Sequence, residues 1–419
     1  MIAAEISENP IDKRSVYIAA GLISGCGALT FNVMPILVGA MADAFQLSKT
    51  ELGDIVASFS IGFTLIAIAA LFWVHKVNWR IASIAAVALS VAALAAMTLI
   101  STVQALSLLT LLVGVGMGAL YALVMAILSG SNQPDRAFGL KLGLETLPGA
   151  ILLFLLPVTI APTFGFDGIV LTMAATALLL GTASFFLPTQ SANSHHIQSS
   201  INQQDLWLTI LALGASLLFF TGIAASWAFL ELLAKTQSLP TEDVGTILAI
   251  AFIICGVGGF VAAAIGDRYG RILPVAGIIL SNCVGLWILS IFTSSIEYAI
   301  GTSLFLFSVN FALAYTFGLT AEVDSSGVMI VLSAAILSIG SIIGPATAGR
   351  LVESMGYDAM LLFSAGCAIA SLLLYLFVYR IHCRASPRSL RVEATNKQKC
   401  LKPLPPGFHA PLHDTPPPD

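Results

Sequence analysis

Two carboxylates lie within apolar stretches of the chain, where a charge is hard to keep. One is Glu231, in Ser226-Trp-Ala-Phe-Leu-Glu-Leu-Leu233; the other is Glu145, four residues after Lys141. A charged side chain at the centre of a lipid-spanning helix costs about 2.5–3.5 kcal/mol on insertion scales, so each acid must face a partner or a wet cavity. In a cavity that opens and closes, such an acid could exchange a proton with each change of hydration. Each also has a simpler account. Lys141 and Glu145 share one helix face and can form an internal ion pair; in the sharper reading Glu145 carries or gates, and Lys141 tunes its charge. Glu231 can be a solvated acid near a helix end, loosely paired with Lys235 one turn later.

Polar and aromatic groups in the same kind of surroundings are the candidates for holding a ligand. Trp227 lies one turn before Glu231 and could stack on a ligand, anchor at the interface or pack. Asn32 and Asn310 are amides in apolar runs, able to face a solute or to bond between helices. Tyr121 and Tyr315, 194 residues apart, occupy matching places and could donate hydrogen bonds or pack in a core. Asp54, with Glu51, opens a helix, where an acid caps the backbone and suits the dipole.

Several chemistries lack their residues. Gly114-x-Gly116-x-Gly118 has neither a preceding strand nor a following base, so it reads as close helix packing and not as a nucleotide loop. His75 reads as a surface histidine, and His195-His196 stand too isolated for a metal site. The six cysteines show no metal spacing, and none falls in an expected external loop, which argues against structural disulfides. No nucleophile is paired with a base at a recognisable spacing, so an enzyme is disfavoured. No cofactor or metal is expected.

The elements that position these residues follow from composition. The chain is 58% hydrophobic and 10% charged, against about 25% charged in a soluble domain. A helix needs roughly 20 apolar residues to cross the lipid core, and twelve such runs occur: 16–40, 52–74, 80–100, 104–130, 138–162, 167–187, 206–234, 244–266, 272–293, 297–320, 327–350 and 357–380. The first is too long for a signal-peptide core, despite Ala40-Met-Ala42. With the amino terminus inside, fifteen lysines and arginines fall on the cytoplasmic side, Lys141 among them, and three (Lys49, Lys235 and Arg350) outside. That bias puts both termini in the cytoplasm. Residues 1–15 form a short cytoplasmic start, and 188–205 a polar linker between two six-helix bundles at 16–187 and 206–380. Residues 381–419, first basic and then proline-rich (Lys402-Pro-Leu-Pro-Pro406), form a tail that cannot bury a core. Its basic part could rest on anionic lipid or simply enforce topology. No basic stripe outside it suits nucleic acid.

The two halves also repeat. Leu47-Ser-Lys-Thr-Glu-Leu-Gly53-Asp-Ile-Val-Ala57 matches Leu239-Pro-Thr-Glu-Asp-Val-Gly245-Thr-Ile-Leu-Ala249 in spacing and character, 192 residues on. Each opens a long apolar run that ends about 20 residues later in a charged turn, the pattern of a duplicated membrane bundle. The second such turn, Gly266-Asp267-Arg268-Tyr-Gly270-Arg271, resembles the signature of the major facilitator superfamily. Its glycines permit a tight turn, while an acid and two bases can lock or release helix ends. The first-half turn, Val74-His-Lys-Val-Asn-Trp-Arg80, keeps positive charge without the acid or the glycines. In the eleventh run, Gly340-Ser-Ile-Ile-Gly344-Pro345-Ala-Thr-Ala-Gly349 is similar to the family's glycine-proline helix pattern. There Gly340, Gly344 and Ala348 share a face for close approach and Pro345 can kink the helix. The fifth-run counterpart, Gly143-Leu-Glu-Thr-Leu-Pro148-Gly149, has Leu147 at the central glycine; in the family this motif goes with exporters that exchange substrate for protons, so transport direction stays open.

The resemblance covers about residues 15–380. It implies an all-α membrane protein of twelve transmembrane helices in two pseudo-symmetric six-helix bundles, rocking about a cavity lined by the first, fourth, seventh and tenth helices. The expectation is a monomeric secondary transporter in a bacterial cytoplasmic membrane, moving a small organic solute with protons through Glu231 or Glu145. An uncoupled facilitator is the alternative, and a sensor or scaffold that has kept the fold a more distant one.

Overall fold

The computed structural model describes residues 10–100, 102–129, 131, 134–189, 203–266, 268–323 and 328–385. Among these the chain is helical, with no strand. Most of the linker, the tail beyond 385 and Asp267 lie outside the described residues.

The first apolar run is two helices, α1 (Arg14–Asn32) and α2 (Met34–Phe45), divided at Val33 (φ −102°, ψ 12°). Pro35 explains the division: it has no N–H for the Phe31 carbonyl one turn back, so the ladder cannot pass through. The run therefore ends at Gln46, in the left-handed region at φ 53°, beyond the expected residue 40. α3 (Lys49–Trp73) begins with a capping box in which Ser48 and Glu51 satisfy each other's backbone N–H. Of the two acids expected to serve that helix start, Glu51 does so.

α4 (Trp79–Ala96) is capped by Asn78 and passes through a short 3-10 turn, and α5 spans Val103–Ser129. α6 (Pro134–Leu155) runs through a π segment, Leu156–Ile160, into α7 (Ala161–Gly181). The true reversal lies inside α7, at Gly165 (φ 57°), a conformation that costs a residue with a Cβ. The second half follows as α8 (Gln203–Thr236), α9 (Thr241–Ile265), α10 (Ile272–Ile291), α11 (Ser295–Val323), α12 (Val328–Met355) and α13 (Tyr357–Ala385).

Ten stretches among the described residues are long and apolar enough to span a membrane, against the twelve runs read from the sequence. One of them, Leu140–Phe186, is 47 residues long and covers both the fifth and the sixth runs. α12, the helix of the eleventh run, has 28 residues but is not among the ten.

Packing divides the helices into two groups. α1 and α3–α7 pack among themselves, as do α8–α13. The groups meet where α3 lies on α12, α6 on α9, and α2 on α8. We call the face carrying the α2–α3, α8–α9 and α12–α13 turns distal, and the face carrying the α3–α4 and α9–α10 turns proximal.

Candidate functional site

All three seams close at the distal face. Where α3 meets α12, Gly53 lies against the Pro345 carbonyl and Gly349 against the Lys49 carbonyl. The Thr50 N–H bonds Glu353 at 2.8 Å, and Arg350 pairs with Asp54 at 2.9 Å. Asp54 thus serves the opposite half and not its own helix end. Both members of that pair are about half exposed, which limits it to about 0–1 kcal/mol. Where α9 meets α6, Gly245 packs on the Pro157 ring and the Leu153 carbonyl. The glycines of the sequence repeat therefore each receive a proline-bearing helix of the other half.

The α2–α8 seam holds Glu231. Its carboxylate lies against Gly39, where no Cβ could fit, and is 5% exposed. Lys235 pairs with it at 3.1 Å and reaches across to Asp43 at 2.6 Å. Glu231 Oε2 is buried without a hydrogen-bond partner. This is not a loosely paired acid in solvent: the halves close over it.

Trp227, one turn earlier, also joins the halves. Its Nε1–H donates to the Phe31 carbonyl at 2.9 Å, the carbonyl that Pro35 leaves without its helical donor. Its ring stacks on Phe252, and Phe31 stacks on Phe220. Phe31, Met34, Val56, Ser60, Trp227 and Ser341 enclose a cavity of about 10 Å³, room for one water at most. Replacing Trp227 with phenylalanine keeps the stacking ring and strands the carbonyl. The expected loss is about 0.5–1.5 kcal/mol, read as a lower thermal unfolding midpoint in detergent; an unchanged midpoint would mean that water replaces the indole.

The second acid is built differently. Glu145 Oε2 pairs with Lys141 Nζ at 2.6 Å and accepts from Ser24 Oγ at 2.7 Å. Lys141 Nζ also donates to Tyr121 Oη at 2.8 Å and lies 4.0 Å from the centre of that ring. α1, α5 and α6 each supply a member, all from one half. Lys141 and Glu231 are the two buried charged side chains among the described residues. Lys141, counted by sequence among the cytoplasmic charges, is only 2% exposed.

The remaining candidates are spread out. Asn32 is buried against Gly149 at the end of α1, its Nδ2 without a partner. Asn310 lies half-buried in α11 beside Gly259. Tyr121 accepts from Lys141, whereas Tyr315 donates to the Gly266 carbonyl at 2.8 Å; these two hydroxyls do not share one site. That bond ties the turn to α11. Gly266 (φ 50°) and Gly270 (φ 67°) take left-handed conformations there, with Arg268 exposed and Arg271 half-buried. Gly340 and Gly344 pack on α8 at Thr221 and Ala225.

A paired, pseudo-symmetric helical fold sealed on one face, with charged groups in its interior, is the architecture of a membrane transporter. The Major Facilitator Superfamily profile matches residues 18–328, and the chain belongs to that family. Solved structures agree in fold. The nucleoside transporter NupG aligns over 87% of this chain and 98% of its own at 13% identity, with a TM-score of 0.70. A bacterial homologue of the human lysosomal transporter Spinster, inward-facing and occupied, aligns over 87% and 96% at 14% identity, with a TM-score of 0.65. No curated protein sequence gives a significant match.

Proposed function

We propose that the protein moves a small organic solute by alternating access, held here with its distal gate shut, and that proton movement through Glu231 drives the cycle. The observation that carries this reading is the place of Glu231 at a seam between halves. Its packing neighbour Gly39 and its shared counter-ion's partner Asp43 both belong to the other half. Opening the distal face would remove both and admit water; closing would restore dry contact. A titratable group whose surroundings differ between two states links proton occupancy to the switch. Glu145 takes its bonds from within one half, so rigid rocking of the halves leaves them unchanged.

The lysine and arginine bias supports a cytoplasmic proximal face, with the shut distal gate on the opposite side. The chemistries named for the structural neighbours, nucleosides among them, supply first compounds for a ligand screen by thermal stabilisation.

With a solute so found, proteoliposomes test the coupling. Glu231→Gln is expected to cut accumulation driven by an imposed pH gradient by about tenfold or more, the size of a typical coupling free energy. Solute counterflow, which needs rocking but no net proton transfer, should persist. Gradient-driven accumulation at the wild-type level would remove Glu231 as the coupling acid.

A further inference from the structure

Lys141 is the buried cation that the coupling scheme leaves unused, and its surroundings have a direction. Three groups converge on the Glu145 carboxylate or stand beside it: the Lys141 ammonium, the Ser24 hydroxyl and the Tyr121 hydroxyl. Lysine and serine donate to the carboxylate. Tyr121 accepts from the lysine and so keeps its own O–H proton free to give. A full charge buried in a helical bundle is held only by good compensation; the Tyr121 oxygen and ring face serve the ammonium, while the ammonium and the Ser24 hydroxyl are both turned as donors to a carboxylate. The cradle is filled by the chain's own carboxylate, borne on the same helix one turn away.

We propose that Lys141, Ser24 and Tyr121 form the recognition site for a small monocarboxylate, which Glu145 occupies when no ligand is bound. Access comes from the Glu145 side, which is 15% exposed while Lys141 is sealed. The incoming carboxylate takes the lysine and serine hydrogen bonds and Glu145 swings out. Glu145 is protonated from bulk solution as it leaves, so the site stays neutral while the monoanion is bound. From the helices packed on α6, the polar groups that face the pair are Ser24 of α1 and Tyr121 of α5; no charged side chain of α9 bonds it among the described residues. A dianion would bring a second charge with nothing among these groups to meet it. This proposal names the solute class for the transport reading and rests on that reading for its purpose. Binding can nevertheless be measured without transport, so the two can fail separately.

The test compares acetate, propionate and benzoate with acetamide, propionamide and benzamide at matched ionic strength, by thermal stabilisation of the purified full chain. Glu145→Gln empties the cradle of its resident anion. A site closed nine-tenths of the time by its own carboxylate binds about tenfold more weakly than an open one. The variant should therefore respond to at least one carboxylate at about one-tenth of the wild-type concentration, and to no amide. The double variant Lys141→Gln/Glu145→Gln should respond to none. Three results would overturn the proposal: no carboxylate stabilises Glu145→Gln, the double variant responds as well, or chloride serves equally. Should Glu145→Gln not fold, infrared difference spectra of the wild-type chain give an independent reading. The carboxylate probes must raise a protonated-carboxyl band that the amides do not, and its absence counts against displacement. Stabilisation together with failed proton-driven uptake would leave this site standing and sink the coupling scheme instead.

Discussion

Gly53→Val is expected to hold the distal gate open and to stop turnover while leaving each half folded. The Cβ of any residue at 53 would run into the Pro345 carbonyl and the Gly349 Cα, backbone atoms that cannot rotate away. Forcing extra methyl groups into such a contact costs about 1–3 kcal/mol. Because the contact exists only when α3 lies on α12, the cost falls on the closed state alone. A bias of that size changes the ratio of two conformations by about 5- to 150-fold. Gly245→Val, against Pro157 and the Leu153 carbonyl, should act in the same direction at the opposite seam. The measurement is labelling of a cysteine at position 60, which lines the small cavity beside Trp227, by a membrane-impermeant thiol reagent added on the distal side. Labelling should rise in both valine variants while the protein remains monodisperse. If neither changes labelling, the distal contacts are not the gate.

The origin of these glycines shows where sequence reading succeeds and where it stops. The repeated segments at Leu47 and Leu239 are legible because a polar helix start followed by an apolar run is a local pattern that duplication preserves, although only the first copy keeps a side-chain cap. The spans are legible for the same reason, since about 20 apolar residues are a property of one stretch of chain. What Gly53 and Gly245 touch is not local: their partners Pro345 and Pro157 lie 292 residues downstream and 88 residues upstream. Two glycines at one register of a repeat were the available signal. The same holds for Trp227. Pro35 at four residues after Phe31 marks a carbonyl in need of a donor, but nothing in the order of residues says that the donor comes from α8.

Charge was misleading in one place. Lys141 reads as a topological marker because it lies near the start of an apolar run. Whether a lysine near a helix end turns to water or inward depends on groups contributed by other helices, here Ser24 and Tyr121. Its i, i+4 pairing with Glu145 was legible, since helix geometry alone sets it. Glu231 was legible as an acid in an apolar run for the same reason, whereas its meeting with Gly39 and Asp43 was not. Asp43 lies 188 residues before Glu231, in a segment expected only to follow the first span.

That meeting predicts a large effect for Lys235. Lys235→Met would leave Glu231 buried without the one cation that pairs with it, its carboxylate still packed on Gly39. Removing one partner of a buried pair costs about 3–5 kcal/mol, much more than the pair itself contributes, because the remaining charge stays desolvated. The loss should appear as a marked fall in thermal stability of the distally closed form. Adding Glu231→Gln to Lys235→Met removes the stranded charge, so the double variant should recover most of the loss and be more stable than Lys235→Met alone. Asp43→Asn is the control: Asp43 is 69% exposed, and an exposed partner contributes about 0–1 kcal/mol. A protein in which Lys235→Met and Asp43→Asn cost the same, with no recovery in the double variant, would place Glu231 in water. A wet Glu231 in the closed state would then have no change of surroundings with which to sense the switch.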